Sequence, residues 1–339
     1  MAIFKYKRLL ICLIVILVVG VIVYNSISGI KKKEILDREK INMNKNTTIC
    51  AFGDSITASG EWVGEVFDNV KEQGVKVYNC GVAGDTAYDS QRRMEEDCLC
   101  YNPTNVIVMF GLNDMNHWYA EKDVSLSFVE SLKDEYELNL EKVIKKFQDR
   151  NIDVILCSPP PYLEGSYYLT ADNQCNNRLK KCAEISKSLA KKYKCHFIDM
   201  YNVFSSKEKM QQYYKEDRVH PNARGQRLIA ETILQYLGID YKSQYNKKFE
   251  YSELNRKRME LETIYRKVMY AKHDTIGKHC DRLGITMSKE EEIEFLKEEM
   301  TKAEFTAHCA NIYFKYNDDL PKIKSEIIEL TEKMASTGK

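Results

Sequence analysis

Four short, widely separated stretches carry residue types able to do acyl-transfer chemistry. Gly53-Asp54-Ser55-Ile56-Thr57 puts a serine directly after the β-prone run 47–52. A serine hydroxyl attacks a carbonyl only when a base takes its proton and donors hold the oxyanion that forms. Asp217-Arg218-Val219-His220-Pro221 offers that base, an imidazole three residues after a carboxylate able to orient it. The stretches Asn79-Cys80-Gly81-Val82-Ala83-Gly84-Asp85-Thr86 and Gly111-Leu112-Asn113-Asp114 offer donors. These are the backbone N–H groups of Ser55 and Gly84 and the side-chain amide of Asn113. Each stretch also has a plainer role open to it. Asp54 can brace a turn, Gly81 and Gly84 can be turn glycines, Asn113-Asp114 can be a loop pair, and Asp217 can cap a helix start.

What brings such stretches together is an alternation of elements. Strand-like runs fall at Ile49–Phe52, Lys76–Asn79, Val106–Phe110, Val154–Cys157 and His196–Ile198. Between them, helical patterns occupy Trp62–Gln73, Ser90–Cys98, Leu126–Arg150 and Asn176–Tyr193, and a last helix follows Pro221 to about Leu237. This alternation implies an α/β unit with a parallel sheet and right-handed crossovers. The first three stretches each follow a strand, so they meet at the carboxyl edge of the sheet, where open α/β sheets bind ligands.

In this order and at these separations, the four stretches resemble the SGNH (GDSL-type) hydrolase family over roughly residues 47–237. Ser55 matches the family's nucleophile, Gly84 the glycine of its second block, Asn113 the asparagine of its third, and Asp217 and His220 its Asp-x-x-His-Pro pattern. The resemblance implies a flavodoxin-like, three-layer α/β fold with a parallel sheet. It implies a serine esterase with the triad Ser55, Asp217, His220 and an oxyanion hole from Ser55, Gly84 and Asn113. It implies no metal and no organic cofactor. The expected substrate is an O-acyl ester, O-acetyl first, on a small molecule, carbohydrate or cell-envelope glycan. The alternatives are a lysophospholipase or thioesterase acting on lipid esters, a glycan O-acyltransferase, and a membrane-held binding module. Trp118, Tyr162 and Tyr167 sit on loops after the third and fourth strands and are candidate substrate contacts. His273, His279 and Cys280 lack metal-ligand spacing.

The remainder of the chain divides by composition. From Leu9 to Ile30 there is no charged residue, enough to cross a bilayer as a helix, and Lys5, Lys7 and Arg8 precede it. We read residues 1–30 as an uncleaved transmembrane anchor, with a cleaved signal peptide as the alternative. A polar tether follows over 31–46, then a catalytic domain over 47–240. Lys31-Lys32-Lys33, Arg38 and Lys40 after the span argue for a cytoplasmic domain. Long domains can nevertheless be exported past such charge, and we expect an extracellular one. The 11 cysteines show no disulfide framework and read as small buried hydrophobes. A formal net charge of +1 with mixed signs gives no footprint for nucleic acid. Residues 250–335 form a helical extension of three to four amphipathic helices. The stripes Leu254, Leu261, Ile264, Val268 and Ile323, Ile327, Leu330, Met334 are expected to pair, to cover the catalytic unit, or to meet a second protomer.

Overall fold

The apolar runs become strands whose bounds fall within two residues of those expected. The computed structural model describes Ile41, Tyr241 and residues 43–115, 126–163, 175–239 and 253–337, with backbone alone at 126–133 and 175. The strands are β1 Thr48–Gly53, β2 Lys76–Gly81, β3 Asn105–Met109, β4 Asp153–Cys157 and β5 His196–Ile198. They pair in parallel in the order β2-β1-β3-β4-β5. This is a doubly wound order. Every residue of β1 and β3 is buried, as expected for central strands covered on both faces.

The helices between strands are α1 Ser55–Ala58, α2 Glu61–Val70, α3 Ser90–Asp97, α4 Leu126–Gln148, α5 Cys175–Lys192, α6 Met200–Ser205 and α7 Ala223–Tyr236. α2 packs on α7, and α4 packs on α5 and β4. Right-handed crossovers in this strand order put α2 on one face and α3, α4 and α5 on the other, and α7, by packing on α2, joins the first face. α7 begins one residue later than Pro221 suggested, with Asn222 as the cap accepting from the backbone of Arg224 and Gly225.

The chain divides after Asn42, and residues from Met43 onward form one unit. The expected span and most of the tether lie outside the described residues. Among the described residues no helix is long and apolar enough to cross a membrane.

The C-terminal part is more finely broken than its sequence pattern suggests. It comprises α8 Glu253–Met269, a π-helix at Tyr270–Gly277, α9 Lys278–Leu283, α10 Lys289–Glu299, α11 Glu304–Tyr316 and α12 Leu320–Thr337. α12 buries Ile323, Ile327, Leu330 and Met334 and packs along α8. The matching stripe on α8 is corrected in part: Val268 is fully buried, whereas Leu254, Leu261 and Ile264 are only half-buried. The face that α8 buries fully carries Asn255, Arg258, Glu262 and Arg266. These polar groups are committed to the sheet unit. Arg258 Nη1 donates to the Val77 carbonyl at 2.9 Å, and Glu262 Oε1 accepts from the Asn79 N–H at 3.4 Å. Both belong to the side of β2 that has no neighbouring strand, so side chains of α8 supply the bonds a sixth strand would have made. Arg266 pairs with both oxygens of Asp97 at 2.7 Å. Arg93, fully buried, bonds Asp97 at 2.6 Å and Asp85 at 2.5 Å.

Candidate active site

The local chemistry of the β1–α1 corner fixes the serine. Asp54 caps α1, its Oδ1 accepting from the Ile56 N–H at 2.9 Å, so the bracing role open to it in the sequence is the one it fills. A side chain at Gly53 would run into Thr57 and come within 2.7 Å of the Met109 carbonyl, which is why the corner needs glycine. Arg93 holds the ends of β1 and β2, donating to the Gly53 carbonyl at 3.0 Å and the Cys80 carbonyl at 2.8 Å. Ser55 is the first residue of α1.

Across from it, the segment before α7 presents the base. His220 Nε2 lies 3.0 Å from Ser55 Oγ, and His220 Nδ1 lies 2.8 Å from Asp217 Oδ2. The other oxygen of Asp217 accepts from the N–H groups of Val219 and His220, each at 2.9 Å. Burial pushes the Asp217 carboxyl up, but these N–H donors and the imidazole outweigh it and hold it below the usual carboxylate range. Arg218, between the two, has φ of +59°, the left-handed region costly for a long side chain. Its N–H donates to the Lys215 carbonyl at 3.0 Å, and the Lys215 N–H donates to the His220 carbonyl at 2.8 Å, so the loop holds that conformation. With Nδ1 keeping its proton and donating it in the hydrogen bond to Asp217 Oδ2, Nε2 is free to accept from Ser55.

Gly84 and Asn113 come to the same place. Ser55, Gly84, Asn113 and His220 all line one cavity of about 660 Å³, within the usual range for small-molecule sites. Gly84 has φ of +78°, and a Cβ there would lie 2.7 Å from Asp274 Oδ1. Asn113 Nδ2 donates to the Asp85 carbonyl at 2.9 Å. That bond orients the amide and leaves its second hydrogen for a ligand.

Of the aromatic candidates, Tyr162 is corrected. It is fully buried, with its backbone N–H and carbonyl both bonded to the Asn176 side chain, so it packs the loop rather than contacting ligand. Trp118 and Tyr167 lie outside the described residues. The aromatics that do line the cavity are Tyr270 and Phe305, both from the C-terminal helices, to which the sequence assigned no site residue. Thr263, Lys267 and Asp274 line it with them. The available signal was a set of polar and aromatic residues recurring on one helix face, which is weak without a cavity to aim it at.

Among the described residues, Cys50, Cys80 and Cys98 bring three sulfurs within 4.8 Å of one another, all buried. None lines the cavity, and burial pushes the Cys50 and Cys80 thiols up. They sit on β1, on β2 and after α3 as small core side chains. Of the cysteines whose side chains are described, Cys100 is exposed and Cys280 half-buried, while the rest are buried.

Burial also pushes the Asp54 carboxyl up to about 7, from an ordinary value of about 3.9. Between these limits the folded chain keeps a proton that the unfolded chain releases. This group therefore contributes least stability at the neutral end and most at the acid end. Asp54→Asn keeps the acceptor for Ile56 and mimics the protonated form. It is expected to gain stability relative to the native protein as pH rises from about 4 to 7, by up to about 1.4 kcal/mol per pH unit. Urea unfolding at several pH values measures this, and a difference that stays constant with pH would mean that Asp54 is ionised throughout.

Comparison with known proteins agrees with this geometry. The family model for the GDSL-like lipase/acylhydrolase family matches residues 51–228. An acetylxylan esterase of Geobacillus stearothermophilus is 28% identical over 179 residues, covering 50% of this chain and 75% of that protein. Among solved structures, a gut microbial diltiazem-metabolizing enzyme superposes with a TM-score of 0.67 at 17% identity, over 86% of this chain and 94% of its own. That coverage extends well beyond the family match, so the shared fold takes in C-terminal helices as well as the sheet unit. A solved acetylxylan esterase from Geobacillus stearothermophilus matches 60% of this chain and 100% of its own, at 23% identity with a TM-score of 0.48. With more than half of its length matched by the family model and a serine, histidine and aspartate in line at the cavity, the chain belongs to the GDSL-like lipase/acylhydrolase family of ester hydrolases.

Proposed function

We propose that the protein is a membrane-anchored serine esterase that removes O-acetyl groups from a carbohydrate or cell-envelope glycan through an acyl-enzyme at Ser55. The observation that carries this reading is the run of contacts from Ser55 to His220 to Asp217, at 3.0 and 2.8 Å, opening on the cavity. His220 Nε2 takes the Ser55 proton as Oγ bonds to the ester carbonyl carbon. The oxyanion is received by the N–H groups of Ser55 and Gly84 and by the Asn113 amide. Collapse of the tetrahedral intermediate breaks the ester C–O bond, and His220 returns the proton to the departing alcohol. Water then attacks the acyl-enzyme with His220 again as base, releasing the acid and restoring Ser55. Asp217 stays ionised throughout and holds the imidazole.

The acetyl preference and the carbohydrate alcohol draw support from the acetylxylan esterase relative. The anchor draws its support from the uncharged stretch 9–30, and the proposed location of the catalytic unit is extracellular. A panel of p-nitrophenyl esters of graded chain length, run beside an acetylated xylo-oligosaccharide, tests the reading. The expected result is fastest turnover of the acetate with a steep fall as the chain lengthens. A preference for long chains would reassign the enzyme to lipid esters.

A further inference from the structure

One wall of the cavity beside Ser55 comes from the C-terminal helices, and its chemistry narrows the substrate. Thr263, Lys267, Tyr270 and Asp274 follow one another at spacings of four, three and four residues, which places them on one helix face. All of them line the cavity, joined by Phe305 from α11. The π-helix begins at Tyr270, and this rare conformation recurs at functional sites. The Tyr270 and Phe305 rings meet edge to face with centroids 4.9 Å apart, and Phe305 is 49% exposed. About half of Phe305 thus remains accessible beside the serine's cavity.

The charges on this cavity do not cancel. Arg266 is matched by Asp97, and Asp274 by Lys278 at 2.5 Å. Lys215 and Lys267 also line the cavity. Among the described residues neither has a carboxylate within ion-pair distance, and Lys267 Nζ meets His308 Nε2 at 2.7 Å. Lys215 stands on the segment that carries His220, and Lys267 stands on α8. Two lysines from different walls thus line the cavity that also holds Ser55, Tyr270 and Phe305.

We propose that the cavity selects esters whose alcohol is a ring bearing a carboxylate, such as an O-acetylated uronate. The ring lies on Tyr270 and Phe305, and the carboxylate bonds to Lys267 and Lys215. This rests on the esterase reading at Ser55. The test uses a matched pair of probes, methyl glucuronide and methyl glucoside carrying one O-acetyl at the same position, with p-nitrophenyl acetate as a third substrate. The native enzyme is expected to show a kcat/KM for the acid on the order of tenfold above that for the neutral sugar, and added salt should shrink the ratio. In the double variant Lys215→Met, Lys267→Met the ratio should approach one. Equal kcat/KM for the two sugars, turnover of p-nitrophenyl acetate with neither sugar cleaved, or a ratio that survives the double substitution would each overturn the proposal while leaving the esterase reading intact. Failure to cleave p-nitrophenyl acetate as well would remove the esterase reading and the proposal together.

Discussion

Replacing Ser55 with alanine is expected to lower kcat by roughly 10⁴–10⁶-fold, with the fold unchanged. The hydroxyl makes its single side-chain bond to His220, so little packing is lost. His220→Ala should cost about as much, and the double variant scarcely more, because a nucleophile without its base and a base without its nucleophile fail at the same step. Asn113→Ala should cost less, on the order of 10²–10³-fold in kcat with KM little changed, since its free hydrogen is aimed at charge that exists only in the transition state. Steady-state kinetics on p-nitrophenyl acetate, with circular dichroism to confirm folding, read all of these. If Ser55→Ala retains most of its activity, the acyl-enzyme mechanism is wrong.

The second large effect falls on stability. Arg266→Met removes the guanidinium that pairs with both oxygens of Asp97, where both side chains are nearly or fully buried. Breaking a buried pair from one side costs about 3–5 kcal/mol, a large part of the roughly 5–15 kcal/mol that holds a typical domain folded. Arg93 still touches Asp97 but is shared with Asp85. Equilibrium urea unfolding should therefore show a midpoint shifted well below that of the native protein, and a shift below about 1 kcal/mol would mean that Asp97 is adequately held by Arg93 alone. Truncation after Leu237 removes Arg258, Glu262 and Arg266 together. It is expected to yield little folded enzyme, because the free side of β2, Asp97 and one wall of the cavity all lose their partners.

The strands and the site were legible in the sequence for one reason. Strand positions follow from short aliphatic runs such as 106–109; Ser55, Gly84 and Asn113 lie shortly after strands, and Asp217 and His220 lie just before the last helix of the sheet unit, at positions that local turn chemistry dictates. Asp54 and Asp217 carry their own explanation, since each bonds backbone N–H groups within three residues of itself. The α12 stripe was legible in the same way, but the buried face of α8 was misread because apolar periodicity detects only burial of apolar groups. α8 docks through Asn255, Arg258, Glu262 and Arg266, and a buried guanidinium looks in sequence like a solvated one. Its partners, Val77, Asn79 and Asp97, are at least 169 residues away. Tyr162 failed for the converse reason: an aromatic residue on a loop over the site looks the same in sequence whether it faces ligand or core, and the bonds to Asn176 turn its backbone inward.

The way β2 is closed has a consequence for how the chain is made. Val77 and Asn79 leave the ribosome 181 and 183 residues ahead of Arg258 and Glu262, the residues that bond them. At about 5–20 residues per second, β2 waits for its cover for on the order of 10–40 s. During that interval the sheet unit can assemble around β1, yet its outer strand still presents a carbonyl and an N–H to any extended segment that passes, including another nascent copy of the same chain. Protection of this edge is therefore a late event in synthesis, completed only once α8 has emerged and can dock.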